Sequence, residues 1–279
     1  SKIVSENNEP DPQALAGFFN QDRALLLLQW LALWIESQDY NDLRNLPGLL
    51  FEGDWWNDPL KPRKVLLDLL KRFAPSTWYT LSDLINFIKS TQPDFQRPSG
   101  DYDSWFIRKQ DSNAFLRGFA NWDDIDGALI RYLITGPLYW LGMTALGNVR
   151  GSKETCFCIT PLLHAYFTQT SEYPQVAENA VIKISTDLVF TIPVHTKRAI
   201  RYQVARFCEL RSVNPQETRY EITPASMRLA QKHGLKAAQL VQYLEKQTGK
   251  SLPKALVRLG EKREDSGQYT QVEQFYLLR

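Results

Sequence analysis

The stretch "TSEYPQVAEN", residues 170–179, divides the chain into two parts with different alphabets. Upstream, apolar residues recur at helical spacing between Pro- and Gly-rich loops. Downstream, "AVIKISTDLVFTIP" is β-branched and reads as one or two strands. Charge follows the same division. Residues 1–174 carry 16 Lys and Arg against 21 Asp and Glu, whereas residues 175–279 carry 17 against 10. A basic half then faces a polyanion or an acidic partner, or the two halves neutralise each other. At 279 residues, 43% of them hydrophobic, the chain can bury two ordinary cores. Its richest apolar run, "ALLLLQWLALWI", is 12 residues long, below the ~18 of a membrane span. The polar N-terminus lacks a signal-peptide pattern. Three cysteines form no framework, which suits a reduced cytoplasmic protein.

Residues 1–20 read as a loose lead-in, followed by a helix over 21–36. The stretch 40–62 is loop-rich, and its adjacent Trp55 and Trp56 are expected to clip it to a core. A helix over 62–74 shows Val65, Leu66, Leu69, Leu70 and Phe73 on one face. Thr80 and Asp83 form a capping pattern for a helix over 81–91. An irregular stretch, 92–121, leads to a helix starting near Trp122 or Asp123 and broken at Gly136-Pro137. "LYWLGMTAL" and "TCFCIT" then read as a hairpin about the turn 147–152, and a short helix over 161–168 follows. Three helices and a hairpin are the order of a winged-helix domain, with the third helix in the recognition position.

After the divide, the pattern predicts strand, a helix over 195–211, the strand "RYEIT", and a helix opened by Pro224 and closed by Gly234. Helices over 236–247 and 252–262 and a final strand, "QYTQVEQFYLLR", complete a βαβαααβ order. The expected class is α+β, mostly helical. The expected domains are a lead-in over 1–60, a winged-helix domain over 61–170 and a small α+β domain over 180–279.

Gly249-Lys250-Ser251 has the ending of a phosphate-binding loop. Such a loop needs a glycine five positions earlier and a strand leading in. Leu244 holds that position, and Ala238, Leu240, Val241 and Leu244 recur at helical spacing. The three residues therefore read as a turn between helices, with Gly249 as a C-cap.

Cys156 and Cys158 share one strand face, but no His or Cys spacing completes a zinc site. Asp101, Asp103 and Asp111 fall in a turn-rich loop, and Asp123, Asp124 and Asp126 at a helix N-terminus. No metal or cofactor is expected. A recognition helix beginning with Asp123 and Asp124 would repel phosphate, and only Arg131 on it is basic. These three residues are the candidates for docking a protein.

The helix expected over 195–211 is the candidate for nucleic acid. At about 100° per residue, Ile200, Val204, Phe207 and Cys208 fall on a core face. Arg198, Tyr202 and Arg206 form a row on the other face, with Arg201 alongside. Two guanidiniums flanking an aromatic can hold phosphate and stack a base. The alternative is a solvated helix face with Glu209 as a salt partner. Arg211, Arg219, Arg228 and Lys232 add positive charge nearby in sequence.

"YEITPASMRLAQKHGLKAAQLVQYLEKQTGKSLPKALVRLGEK" resembles the domain near the N-terminus of the XPB-type repair helicase and in bacterial and archaeal helicase-associated proteins. Ile222-Thr223-Pro224, His233-Gly234-Leu235, "QLVQYLEKQTG" and "LPKAL" carry the likeness, and "DLVFTIP" and "VARFCELRSV" extend it. "TWYTLSDL", "PDFQRP", "DYDSW" and "GPLYWLG" are similar to the winged-helix part of the same bacterial proteins. The resemblance implies a non-catalytic role in DNA transactions or docking to a partner, since the helicase motor is a separate segment and no Walker A sequence occurs here. The leading expectation is a helicase-associated accessory that is not an enzyme. It would bind single- or double-stranded DNA with low sequence preference through its basic half, alongside a helicase or another subunit. The alternative is a docking scaffold with no direct DNA contact.

Overall fold

The computed structural model describes residues 11–261, apart from Ser171, Pro174, Val176 and Lys250. The chain is α+β, with small antiparallel sheets. It divides into two compact units: Gln21–Gln175, and a second that joins the described residues before Gln21 to those after Gln175.

The first described element, α1 (Pro12–Asn20), belongs to the second unit. Asp11 caps it by accepting from the Ala14 N–H at 2.6 Å. The expected loose lead-in is thus helical over these nine residues; residues 1–10 lie outside the described ones.

Within Gln21–Gln175, α2 (Arg23–Glu36) begins at Asp22, whose carboxylate accepts from the Leu25 N–H at 3.0 Å. Then come β1 (Leu49–Phe51), α3 (Leu60–Leu70), β2 (Tyr79–Thr80), α4 (Leu81–Thr91) and β3 (Ile107–Lys109). Thr80 caps α4 as its sequence predicts. Of the paired tryptophans, Trp55 stacks on Trp105 with centroids 5.1 Å apart, while Trp56 is 78% exposed. Only the first clips the loop.

Asp123–Gly127 form a π-helical turn that runs into α5 (Ala128–Thr135). A Cβ on Gly136 would stand 2.6 Å from the Tyr132 carbonyl oxygen, so the chain turns where no larger residue fits. Pro137 then opens α6 (Pro137–Trp140), where the sequence pattern suggests a strand. The hairpin proper is β4 (Thr144–Asn148) and β5 (Thr155–Ile159), followed by α7 (Pro161–Thr168). Its sheet has the order β2-β5-β4, and β1 pairs separately with β3.

One core joins Leu31 and Leu43 to Leu66, Leu70, Leu81, Leu129, Leu133 and Phe157. The segment 21–60 therefore shares a core with α3, α4, α5 and β5, and the expected boundary at 60 falls inside one unit.

In the second unit, β6 (Lys183–Ile184), β7 (Val189–Pro193), α8 (Arg198–Ala205), β8 (Glu209–Val213) and β9 (Glu217–Glu221) precede α9 (Pro224–Lys232), α10 (Ala237–Thr248) and α11 (Lys254–Glu261). The sheet order is β6-β7-β9-β8, antiparallel throughout. Phe190, Ile192, Val204, Phe207, Leu240, Leu244 and Leu256 form its core.

The helix expected over 195–211 is corrected to α8 plus the strand β8. Asn214 turns β8 back on β9 by accepting from the N–H groups of Gln216 and Glu217, both at 2.9 Å. The described order is ββαββααα; the expected final strand lies outside the described residues. Gly249 ends α10 at φ +58°, as a C-cap requires.

Candidate nucleic-acid interface

On α8, Ile200 and Val204 enter the core, as their spacing predicts. The opposite row is less open than expected. Arg201 and Arg206 are exposed. The Arg198 side chain is only 14% exposed, and its Nε lies 3.5 Å from Glu178 Oε1. Its guanidinium also sits 5.3 Å from the centre of the Phe18 ring. The Tyr202 ring packs on Phe19, with centroids 4.7 Å apart and planes tilted by 34°. Thus α1 covers the first half of the row.

At the other end, the Arg206 guanidinium lies 5.8 Å from the Tyr202 ring centre and donates to Gln203 Oε1 at 2.9 Å. The row survives as a geometric line, but half of it lies under the chain's own residues.

The remaining basic groups separate by element. Arg211 is paired with Glu221, which keeps its guanidinium pKa above the ordinary value. Arg219 pairs with Glu217 at 2.7 Å. Glu209, the suggested salt partner of the α8 row, instead accepts from the Thr223 hydroxyl at 2.5 Å. Arg228 and Lys232 are both exposed on α9.

The three docking candidates lie in the other unit. Asp123 receives Lys89 at 2.6 Å, and Asp124 receives Lys109 at 2.9 Å. Arg131 is exposed and lines, with Asp124, Lys109 and Tyr132, a surface groove of about 610 Å³. Asp123 does not line that groove. Both carboxylates are already matched by a lysine of their own unit.

The sequence groups Asp126 with them at a helix N-terminus, and the structure corrects this. Asp126 is fully buried and bound by Arg97, with Nε–Oδ1 at 2.9 Å and Nη2–Oδ2 at 3.0 Å. The Gln96 amide adds a bond of 2.6 Å. Burial raises the Asp126 carboxyl pKa, against the pull of Arg97.

Sequence reasoning missed the residues that cover the row. Phe18, Phe19 and Glu178 lie far from α8 in sequence or outside its helical pattern, and only "GFF" hinted at an apolar helix end. Cys156, Cys158 and Cys208 are free thiols. Among the described residues, no group of three or more His, Cys, Asp or Glu side chains is arranged to hold a metal. Nor, among them, is any helix long and apolar enough to cross a membrane. No family model matches the chain, and no curated protein matches it.

Proposed function

We propose that the chain is a non-catalytic, cytoplasmic accessory of DNA transactions that contacts nucleic acid through the α8 side of its basic unit. One observation carries this reading. The strand arginines Arg211 and Arg219 are neutralised by glutamates, whereas Arg201 and Arg206 stand exposed on α8 with no carboxylate partner among the described residues. Exposed guanidiniums on a helix and at its C-cap are suited to phosphate.

The likeness of residues 180–260 to the XPB-type helicase domain supports the same reading. We read Gln21–Gln175 as its winged-helix companion. The order α3, α4, α5 and the β4–β5 hairpin supports this, with β2 pairing to β5. Asp123 and Asp124 lie just before the helix in the recognition position, which argues for a protein contact there rather than a groove.

Anisotropy of labelled single- and double-stranded oligonucleotides with the full chain, at two salt concentrations, tests the proposal. Binding should weaken as salt rises. Arg201→Ala with Arg206→Ala should lower affinity and flatten the log–log salt slope on single strands by roughly 1.4, about 0.7 for each phosphate no longer neutralised. No binding at low salt would overturn the reading.

A second reading is a protein-docking scaffold, favoured by β8. Among the described residues it is an edge strand, and Leu210 and Val213 on it are 57% and 66% exposed. Unpaired edges invite an added strand from a partner. Loss of a partner on Val213→Lys, with oligonucleotide binding absent in the native chain, would favour this reading over the first.

A further inference from the structure

We infer that α8 carries a site for one nucleotide unit of single-stranded nucleic acid, and that the chain's own Glu178, Phe18 and Phe19 occupy it. The inference rests on the nucleic-acid reading above and adds its regulation. Its basis is a match of chemistry, group by group. A nucleotide offers an anion to pair with a guanidinium and a flat ring to stack on an aromatic. In the structure, Arg198 is paired with the Glu178 carboxylate at 3.5 Å, where a phosphate oxygen would bind. The Phe18 ring lies against the same guanidinium, 5.3 Å from its centre. Tyr202 is faced by Phe19 at 4.7 Å and 34°, where a base would stack.

These occupants can leave. α1 has nine residues, none of them buried. A helix that short is marginal in water without tertiary contacts. Phe18 against Arg198 and Phe19 against Tyr202 are contacts that hold it to α8. Among the described residues the core of the unit, with Phe190, Val204, Phe207 and Leu244, draws no member from α1. A strand of nucleic acid approaching the exposed Arg206, with Arg201 alongside, would next meet Tyr202 and Arg198 along the row. It would gain them by displacing α1. A backbone phosphodiester carries one negative charge, as the Glu178 carboxylate does, so the exchange at Arg198 is near even and the gain comes from the further phosphate contacts at the exposed Arg201 and Arg206.

The test uses the full chain and a labelled oligothymidylate in low salt. Phe18→Ala with Phe19→Ala should tighten binding about fivefold or more, the lower end of what stacking one base contributes. Glu178→Gln should shift affinity in the same direction and serves where the double variant does not fold. Adding Tyr202→Ala should cancel the gain. If the native chain binds but the variants bind no tighter, or the gain survives Tyr202→Ala, the inference falls and the proposed function stands. If neither native nor variant chain binds at low salt, both fall.

Discussion

Arg63 and Asp42 meet as a buried ion pair, Nε to Oδ2 at 2.6 Å, with side chains 0% and 1% exposed. The same guanidinium donates to the carbonyls of Trp34 and Ser37, both at 2.6 Å, and to that of Tyr40. It thereby supplies donors to carbonyls at the end of α2 and in the turn just beyond it. Trp34 Nε1 completes the cluster by donating to Asp42 at 3.1 Å. One arginine of α3 therefore holds the C-terminal end of α2 and the turn after it. This explains why the segment 21–60 folds with α3 and the rest of its unit rather than apart from them.

Arg63→Met should destabilise the chain by about 3–5 kcal/mol in urea unfolding, because it strands a buried carboxylate. The pH dependence has a definite sign. Burial already raises the Asp42 pKa above 3.8, and the loss of Arg63 removes the largest opposing influence. A carboxyl whose folded pKa is raised favours folding at low pH and loses that contribution as pH climbs through the folded pKa. The deficit of Arg63→Met should therefore shrink as pH falls toward about 4, the ordinary carboxylate range. A deficit that stays constant across that fall from neutral pH would show that Asp42 is not the group left uncompensated.

Gly136→Ala should cost about 1–3 kcal/mol, the range for forced overpacking. The new methyl would stand 2.6 Å from the Tyr132 carbonyl oxygen, a backbone atom that cannot swing aside. Thermal unfolding measures it. Gly17→Ala, at an open position, is the control and should be neutral or slightly stabilising.

Burial pushes the Cys208 thiol up to about 12 from an ordinary 9.0. At about pH 8 it should react with iodoacetamide far more slowly in the folded chain than after denaturation, since the thiolate is the nucleophile. The unfolded thiol ionises first, so folding stability from this group declines as pH rises past 9.0. Cys208 is half-buried by exposed area, and rapid native labelling, located by mass spectrometry, would show that desolvation does not hold its thiol up.

Local capping signals were the most legible part of the sequence. Thr80 accepts from the Asp83 N–H group as its pattern predicts, and α4 and α7 span the residues expected for them. The strand β8 was hidden because Phe207, Cys208 and Arg211 continue the helical spacing of α8. All five β8 residues are exposed, so no alternation betrays a strand. Pairing with β9 across the Asn214 turn decided it. The buried pairs Arg63–Asp42 and Arg97–Asp126 link residues 21 and 29 positions apart. Sequence spacing carries no information at that range. For the candidate site, the row on α8 was legible as a helix face, but its cover was not. Exposure depends on what packs from elsewhere, and α1 gave no periodic signal pointing to α8.

Gly249 bears on nucleotide binding. A phosphate-binding loop cradles phosphate with backbone N–H groups between a strand and a helix. Here α10 runs up to Gly249, and Leu244, at the position of the loop's first glycine, is fully buried in the core. Gly249 adopts φ +58°, a conformation that costs other residues roughly 1–2 kcal/mol. Its glycine is therefore explained by the helix end alone, without any ligand. Gly249→Ala should lower stability by about that amount, and magnesium-ATP should leave the melting temperature of native and variant chains unchanged. Lys250→Ala should be silent in the same assay. Micromolar ATP binding that Lys250→Ala abolishes would mean that the turn binds phosphate after all, and the non-catalytic reading would have to be given up.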